Sequence, residues 1–291
     1  MFSKISPYIR ILRLSDWLKN IFVFVPLVFS KHLFHTDYIL TVASGFIAFS
    51  IASGMVYVFN DIIDADSDRL HPLKKNRPVA SGELNKSRAA FLLFVLFIIV
   101  LLFTILLNNK FILIIWTYVL INLLYTLYLK KIVIADIFSI ASGFLLRVVS
   151  GAVIIDVDLS NWLILTTIFL SLFLAVMKRR VEFASIPDPS IQRVVLKDYS
   201  LPFIDMIAAV TSTCVVISYA FYSVAERTIK AFGSEEFVFT TLFVIFGIFR
   251  YMFIAIKKNK GENVIEAILN DLPMTINLIL YIFVSLYIIY S

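Results

Sequence analysis

The amino-acid sequence predicts an all-α membrane protein whose helices cross the bilayer several times. Of its 291 residues 60% are hydrophobic, and the mean hydropathy is +0.93. The apolar runs reach the roughly 20 residues that an α-helix needs to cross a bilayer. These runs are continuous, whereas a transmembrane β-barrel requires short segments of alternating polarity. The pattern therefore excludes both a soluble globular domain and a barrel.

Nine apolar segments follow one another along the chain, and each is predicted to form one membrane-spanning helix. The predicted spans are 18–35, 39–60, 88–107, 111–129, 133–155, 160–178, 202–224, 236–256 and 271–290.

Two long loops, 61–87 and 179–201, follow the second and the sixth segments, while the other loops are mostly short. Their equivalent positions suggest that a single membrane domain, 1–291, is made of two related halves, 1–130 and 131–291. The sequence itself shows no strong repeat between these halves.

Basic residues are concentrated before the first segment and in every second loop after it. By the positive-inside rule, the N-terminus, both long loops and loop 257–270 are predicted to be cytoplasmic. The expected location is the inner (cytoplasmic) membrane of the cell, and an odd number of crossings then places the C-terminus outside. The net charge of +6 is interpreted as this topology signal, because no nucleic-acid-binding pattern is present.

Aspartates are concentrated where the second apolar segment ends. Asp61, Asp64 and Asp68 are spaced i, i+3 and i+7, so on a helix their carboxylates lie on one face. Three aligned carboxylates repel one another and are typical of a Mg²⁺ site completed by substrate phosphates. Asn60 adds a neutral ligand, whereas Asp66 falls on another face. The alternative is a solvated acidic helix end.

The loop that follows the aspartates is basic. Arg77 can bind a phosphate group through two parallel hydrogen bonds, and Lys74 adds a mobile point charge. Pro72 and Pro78 stiffen the loop. A mixed acidic and basic cluster suits a metal-chelated diphosphate; the alternative is ordinary positive-inside charge.

The sixth segment ends in a second basic cluster, Lys178-Arg179-Arg180, followed by Glu182. If the two halves are related, this cluster occupies the place of a second set of metal-binding carboxylates. An acidic side and a basic side together predict a substrate with several phosphates. Positive-inside charge is again the alternative.

Tyrosines and charged residues surround the cytoplasmic junction of the fourth and fifth segments. Tyr125 and Tyr128 share a helix face, and Lys130 follows them. The tyrosines are candidates for substrate contact, with an interfacial aromatic belt as the alternative. Asp136 lies about a turn inside the membrane, where a carboxylate is a functional candidate by default.

Arginines also occur inside apolar segments. Arg147 is predicted to lie deep in the bilayer, where it would meet a lipid phosphate or a buried carbonyl group; the sequence does not choose between them. Arg250 is closer to the cytoplasmic end and can extend to the interface. Lys19 and Asn20, at the entry of the first segment, are predicted to line a cytoplasmic cavity.

These motifs resemble the UbiA superfamily of intramembrane prenyltransferases. The stretch similar to the first aspartate motif of that superfamily, with its extension, is Asn60-Asp61-x-x-Asp64-x-x-x-Asp68 and His71-Pro72-x-Lys74-x-x-Arg77-Pro78-x-Ala80-Ser81-Gly82. The stretches that resemble its polyprenyl-phosphate (decaprenyl-phosphate) phosphoribosyltransferase branch are Trp17-x-Lys19-Asn20, Tyr125 to Lys130, Ala141-Ser-Gly-Phe-x-x-Arg147 and Phe173-Leu-x-x-x-Lys178-Arg179. The second aspartate motif of aromatic prenyltransferases is missing from the sequence, which favours this branch.

The resemblance implies a nine-helix bundle around a central cavity open to the cytoplasm. It also implies a Mg²⁺-dependent enzyme that moves 5-phosphoribose from 5-phosphoribosyl 1-diphosphate to a polyprenyl phosphate, a step used in cell-wall biosynthesis. The expected partners are these two substrates and the bilayer. A homo-oligomer of the chain is compatible with the resemblance. The candidate residues are Asn60, Asp61, Asp64 and Asp68 for catalysis, the same three aspartates for the metal, and Lys19, Asn20, Lys74, Arg77, Tyr125, Tyr128, Lys130, Asp136, Arg147, Lys178 and Arg179 for the substrates.

Two alternatives stay open at this point. An aromatic prenyltransferase would share the fold, but its lipid would carry the diphosphate and a second carboxylate cluster would be required. A transporter would be compatible with two similar halves. Against a transporter, most of the charges lie at one membrane face rather than at the midplane.

Overall fold

The computed structural model describes residues 6–71, 74–185, 194–257 and 264–291. Pro72, which is predicted to stiffen the loop after the second segment, lies outside these residues. Parts of the predicted loops 179–201 and 257–270 lie outside them as well.

Throughout the described residues the secondary structure is helical and contains no strand, which confirms the all-α prediction. The α-helices are α1 (Pro7–Arg10), α2 (Val25–Phe29), α3 (Thr36–Ile63), α4 (Ala65–Leu70), α5 (Lys86–Ile105), α6 (Asn109–Leu127), α7 (Ala135–Ile154), α8 (Asn161–Ala184), α9 (Leu201–Val224), α10 (Glu226–Phe232), α11 (Thr241–Lys257), α12 (Val264–Leu269) and α13 (Leu272–Tyr290). The 3-10 stretches are Leu14–Phe24, Lys74–Asn76, Leu129–Lys131, Val194–Asp198 and Glu236–Thr240.

In the part of the chain that the structure describes, eight helices are long and apolar enough to cross a membrane. They correspond to the second to ninth predicted segments, so the chain is a multi-pass membrane protein. The first predicted segment, 18–35, instead forms the 3-10 run Leu14–Phe24 and the short helix α2. Pro26 lies in the first turn of α2, which follows directly on the 3-10 run. The count of nine spans is therefore not confirmed.

The chain divides into two compact units, and the first contains residues up to Leu27, His32–Lys130 and Leu146–Asp158. In this unit α3 packs against the 3-10 run, α5 and α6. Small side chains on α3 allow this close packing. A Cβ atom added at Gly54, for example, would lie 3.2 Å from Cδ2 of Leu12, two residues before the run.

The second unit contains Val28–Lys31, Lys131–Leu145 and Leu159–Ser291. Here α8 packs along α9, and α11 packs against α8, α9 and α13. Arg250 donates two hydrogen bonds to the carboxylate of Asp271, at 2.8 and 3.0 Å. Asp271 also caps the N-terminus of α13, so Arg250 serves the junction between α11 and α13.

The predicted halves of the domain meet at residues 130 and 131, and a boundary between the two units lies there as well. Helix α7 is continuous across a later boundary, at Leu145 and Leu146. The single domain and its internal repeat stay predictions.

Candidate functional site

The aspartate motif straddles a small break between two helices. Helix α3 ends at Ile63, and Asp64 caps it with φ −88° and ψ 0° before α4 begins at Ala65. The backbone N–H of Asp64 donates to Asn60 O at 2.9 Å, and that of Asp68 donates to Asp64 O at 2.8 Å. These i to i−4 bonds preserve the helical register across the break at Asp64.

Asp61 is the most buried of the three predicted ligands, with 1% of its surface exposed. Its Oδ1 accepts a hydrogen bond from Arg13 at 2.5 Å and lies 3.6 Å from a guanidinium nitrogen of Arg77. The same nitrogen of Arg77 donates to Asp68 at 2.6 Å. Asp61 and Asp68 therefore face one guanidinium group, as the i, i+7 spacing predicts.

Asp64 pairs with a different cation. Its Oδ1 accepts from the ammonium group of Lys130 at 2.5 Å, and both side chains are about a quarter exposed. The side-chain carbonyl of the neighbouring Asn60 accepts from the hydroxyl of Thr126. Helix α6 and the turn after it thus supply partners for two residues of the motif.

Asp66 differs from the other three aspartates, as its place in the helical pattern predicts. Its side chain is exposed and pairs with Arg69 and Lys86, both at 3.0 Å. The hydrogen bond and the charge of Lys86 lower the pKa of Asp66 below its ordinary value. Asp66 therefore belongs to the solvated surface.

The basic loop lies against α4. Arg77 is three-quarters buried between the aspartates, whereas Lys74 is half-buried and its backbone N–H donates to Nδ1 of His71 at 3.3 Å. Nε of Arg69 donates to the carbonyl of Ala80 at 3.2 Å, which fixes the return of the loop. The structure thus brings Arg77 into the aspartate cluster.

The aspartate cluster, which comprises Asp61, Asp64 and Asp68 with their cationic partners, is balanced in charge. Three carboxylates pair with Arg13, Arg77 and Lys130. The buried Oδ2 of Asp61 accepts no hydrogen bond. Burial of an unsatisfied carboxylate oxygen is costly, so this atom is suited to a ligand that arrives from outside the chain.

Hard carboxylate oxygens fit a divalent cation such as Mg²⁺ by their chemistry. Within the described ranges, however, no three acidic, histidine or cysteine side chains lie close enough to enclose a metal by themselves. Mg²⁺ typically takes one or two carboxylates and completes its shell with water and substrate phosphates. The cluster fits that open type of site.

A second polar network in the first unit surrounds Arg147. Its Nε donates to the side-chain carbonyl of Asn20 at 2.7 Å, and a terminal nitrogen donates to the hydroxyl of Tyr118 at 3.3 Å. The guanidinium group also lies over the rings of Tyr118 and Phe49, 5.0 and 5.3 Å from their centroids. Asn20 in turn donates to Ser50 at 3.0 Å. Of the two sequence alternatives for Arg147, the structure contains the contact with a carbonyl group.

Three further predicted residues lie at the edges of the first unit. Lys19 pairs with Asp16 at 2.5 Å, one helical turn before it. Tyr125 is half-buried, and Tyr128, which caps α6, is exposed. The contacts of Lys19, Tyr125 and Tyr128 with a substrate stay predictions.

The predicted residues of the second unit form a buried charge cluster. Nε of Arg179 donates to Asp136 at 2.6 Å, and another nitrogen donates to Glu182. The hydroxyl of Tyr199 donates to Asp136 at 2.8 Å and accepts from the N–H of Ile134 at 2.8 Å. Burial raises the pKa of Tyr199 above its ordinary value, which keeps this hydroxyl protonated.

This enclosure changes the interpretation of Arg179. Its side chain is completely buried between carboxylates, so binding a substrate there would require breaking a buried ion pair. The neighbouring Arg180 pairs with the half-exposed Asp205 at 2.6 Å, and Lys178 is half-buried. Lys178 stays a predicted substrate residue by its position in the sequence.

Two partners of the motif, Arg13 and Thr126, have no local sequence signal. Arg13 is one of several basic residues before the first segment, and nothing local distinguishes it from Arg10. Thr126 lies between Tyr125 and Tyr128, and a single threonine in an apolar segment carries no signal of its own. Both contacts join residues far apart in the chain, with 48 positions between Arg13 and Asp61 and 66 between Thr126 and Asn60.

Comparison with known proteins gives matches at the level of family, relatives and fold. Residues 21–263 match the model of the UbiA prenyltransferase family. The decaprenyl-phosphate phosphoribosyltransferase of Mycolicibacterium smegmatis is 28% identical over 258 residues, which cover 85% of this chain and 81% of that protein. The enzyme of the same name from Corynebacterium glutamicum is 31% identical over 219 residues, 74% of this chain and 66% of that protein.

Among solved structures, a UbiA homologue from Archaeoglobus fulgidus bound to GPP and Mg²⁺ superposes with a TM-score of 0.74. The alignment covers 98% of this chain and all of that one at 18% sequence identity. At this identity the likeness shows a common fold.

Proposed function

Since the chain belongs to the UbiA prenyltransferase family and is a membrane transferase, we propose that it is a polyprenyl-phosphate phosphoribosyltransferase. It would transfer 5-phosphoribose from 5-phosphoribosyl 1-diphosphate to a polyprenyl phosphate and release diphosphate. The transporter alternative is set aside, because the chain belongs to a family of enzymes.

The observation that carries this proposal is the likeness to named phosphoribosyltransferases over most of the chain. Two such relatives match 85% and 74% of it, at 28% and 31% identity. The aspartate cluster supports the proposal, because it combines carboxylates for a metal with arginine and lysine for phosphate groups.

The reaction requires two polyanions to approach each other. The C1–O bond of the donor breaks as a phosphate oxygen of the lipid bonds to C1, and diphosphate leaves with the bonding electrons. The lipid phosphate is already an anion, so no strong general base is needed. A Mg²⁺ ion held by one or two carboxylates of the aspartate cluster would neutralise charge on the leaving diphosphate.

Basic side chains of the first unit would hold the phosphate groups. Arg77 has the geometry for two parallel hydrogen bonds to one phosphate, and Lys130 and Lys74 add charge. Such preorganised charge favours the transition state because it already faces the place where negative charge develops. Asn60, held by Thr126, would position the first turn of the motif.

An aromatic prenyltransferase remains the second candidate. The solved homologue bound to GPP and Mg²⁺ shares the fold, and GPP is a prenyl diphosphate. Against an aromatic prenyltransferase, the place of the second carboxylate cluster is taken by the basic run Lys178-Arg179-Arg180. Glu182 is the acidic residue next to this run.

A labelling experiment on the purified chain in detergent separates these functions. We expect ¹⁴C from the ribose of 5-phosphoribosyl 1-diphosphate to enter the lipid fraction when Mg²⁺ and polyprenyl phosphate are present. No transfer of ribose label, together with transfer of prenyl label from a polyprenyl diphosphate to an aromatic acceptor, would contradict the proposal.

A matched pair of variants tests the motif in the same assay. Asp61→Asn removes a buried charge that faces two arginines, and we expect at least about a hundredfold loss of turnover, as for other groups that stabilise developing charge. Asp66→Asn makes the same chemical change on the solvated face and is expected to retain activity within about twofold. Similar activity of Asp61→Asn and Asp66→Asn would refute the metal assignment.

A further inference from the structure

Arg13 is the cation closest to Asp61. Its guanidinium nitrogen lies 2.5 Å from Asp61 Oδ1, whereas that of Arg77 lies 3.6 Å from the same atom. Arg77 has its shorter contact, at 2.6 Å, with Asp68. The charge of Asp61, the most buried aspartate of the cluster, is thus balanced mainly by Arg13.

Two features distinguish the position of Arg13. Its guanidinium group lies over the ring of Tyr57, 4.9 Å from the centroid. Its backbone has φ 50° and ψ 57°, the left-handed region that a non-glycine residue seldom adopts, at the cap of the 3-10 run. About a quarter of the side chain remains exposed, so the guanidinium group can still reach a ligand.

A divalent cation and a guanidinium group cannot share Asp61 without repulsion. Arginine keeps its charge at all ordinary pH values, so Arg13 cannot relieve the repulsion by losing a proton. A metal on the open Oδ2 of Asp61 would repel the guanidinium group at Oδ1, and this repulsion falls if Arg13 turns to a new anion. A diphosphate that arrives with the metal supplies such an anion.

We propose that Arg13 is an exchangeable counter-ion of Asp61, which opposes binding of the metal alone and binds the diphosphate when both arrive. Asp61 passes from Arg13 to the metal, and Arg13 passes from Asp61 to a phosphate oxygen. The metal and the diphosphate are therefore bound cooperatively. The inference rests on the proposed function only in taking a metal-chelated diphosphate as the ligand.

Cooperativity of this kind has a reciprocal signature. The factor by which diphosphate raises metal affinity equals the factor by which metal raises diphosphate affinity. Removing Arg13 reduces this common factor. It raises the affinity for the metal alone and lowers the affinity for diphosphate in the presence of the metal. A purely structural role for Arg13 would lower both.

Titration calorimetry on the purified full chain in detergent tests the inference with Mg²⁺ and inorganic diphosphate as probes. For Arg13→Gln we expect Mg²⁺ alone to bind about tenfold more tightly, and diphosphate at saturating Mg²⁺ to bind about tenfold more weakly. Arg13→Lys retains the charge and is expected to shift both affinities less than Arg13→Gln does.

Arg10→Gln is the matched control. It makes the same change three residues earlier, at an arginine that pairs with the exposed Glu83 at 2.6 Å, and should leave both affinities within about twofold. If Arg13→Gln does not fold, Tyr57→Leu is measured instead, because it removes the ring beneath the guanidinium group. The Mg²⁺ and diphosphate affinities are expected to change in the same directions as for Arg13→Gln.

The inference is overturned if the Arg13→Gln affinities both fall or both stay unchanged, or if the wild-type chain shows no Mg²⁺-dependent binding of diphosphate. Neither probe contains ribose or lipid. Failure of the phosphoribosyl transfer assay would therefore leave this test intact and would bear on the proposed function alone.

Discussion

At the scale of single residues, burial decides what each charged side chain contributes. Asp136 and Asp205 both pair with arginines of α8 at 2.6 Å. The Asp136 pair is inaccessible to solvent, whereas nearly half of the Asp205 side chain is exposed. Water screens the exposed pair, but no solvent replaces the lost partner of the buried one.

This contrast gives a prediction of stability. Asp136→Ala leaves the buried Nε of Arg179 and the hydroxyl of Tyr199 without their acceptor, so we expect a loss of about 3–5 kcal/mol. Asp205→Ala on the neighbouring arginine should cost at most about 1 kcal/mol. Circular dichroism during unfolding in detergent measures the free energy of unfolding of both variants.

Equal shifts for the two variants would mean that the charge cluster around Arg179 does not stabilise the fold. Asp136 and Arg179 would then again be candidates for substrate binding, as their sequence positions predict.

At the scale of secondary-structure elements, close backbone contact sets the packing of α7. A Cβ atom added at Gly151 would lie 1.9 Å from the carbonyl oxygen of Val23, in the 3-10 run. Real atoms never approach so closely, and a backbone oxygen cannot rotate away as a side chain can. Gly151 is therefore required for the contact between α7 and this run.

Substitution of two helical glycines tests this contact. Gly151→Ala must push α7 away from Val23, and we expect a loss of about 1–3 kcal/mol or more. Gly247→Ala, in α11, places its Cβ 3.4 Å from the side chain of Asn277, an ordinary contact. It should be neutral or stabilising by up to about 1 kcal/mol, because alanine favours helices.

Thermal unfolding in detergent gives the comparison between the glycine variants. If Gly151→Ala is as stable as Gly247→Ala, Gly151 is not required for the contact between α7 and the 3-10 run.

At the scale of the whole molecule, the direction of the first segment decides the membrane topology. The 11 residues of Leu14–Phe24 and the 5 of α2 extend over about 30 Å at 3-10 and α-helical rises, which matches the hydrocarbon core. Arg13 lies beside Asp61, and Asn20 beside Ser50. The run therefore passes along α3 in the opposite direction, although it is no regular α-helix.

Cysteine accessibility tests this topology in intact cells. With the sole cysteine removed as Cys214→Ala, single cysteines are placed at the exposed positions Ser6, Lys131 and Glu235. If the first segment crosses, Ser6→Cys and Lys131→Cys should react with a membrane-impermeant reagent only after permeabilisation. Glu235→Cys, in a predicted outer loop, should react at once.

Labelling of Ser6→Cys in intact cells, with Lys131→Cys still protected, would show that the first segment does not cross. The N-terminus would then lie outside, and the count would be the eight long helices alone.

Much of the candidate site follows from local patterns. The i, i+7 spacing places Asp61 and Asp68 before one guanidinium group, and the same periodicity turns Asp66 to solvent. Helical geometry is fixed by the backbone and is independent of the rest of the fold, so this part of the arrangement follows from spacing, whereas the pairing of Asp64 with Lys130 does not. The 3-10 geometry of the first segment was missed, since hydropathy reports the length of an apolar run but not its hydrogen-bond pattern.

By itself, the sequence determined a helical membrane protein with an aspartate motif at one helix end. Apolar runs of this length leave no alternative, because backbone groups in lipid must be hydrogen-bonded within their own segment. Only the tertiary structure decided which charges meet. It paired Arg13 with Asp61 and enclosed Arg179 between Asp136 and Glu182. Which ion pair a charged side chain forms depends on packing between distant segments, and the charge of the side chain alone does not predict it.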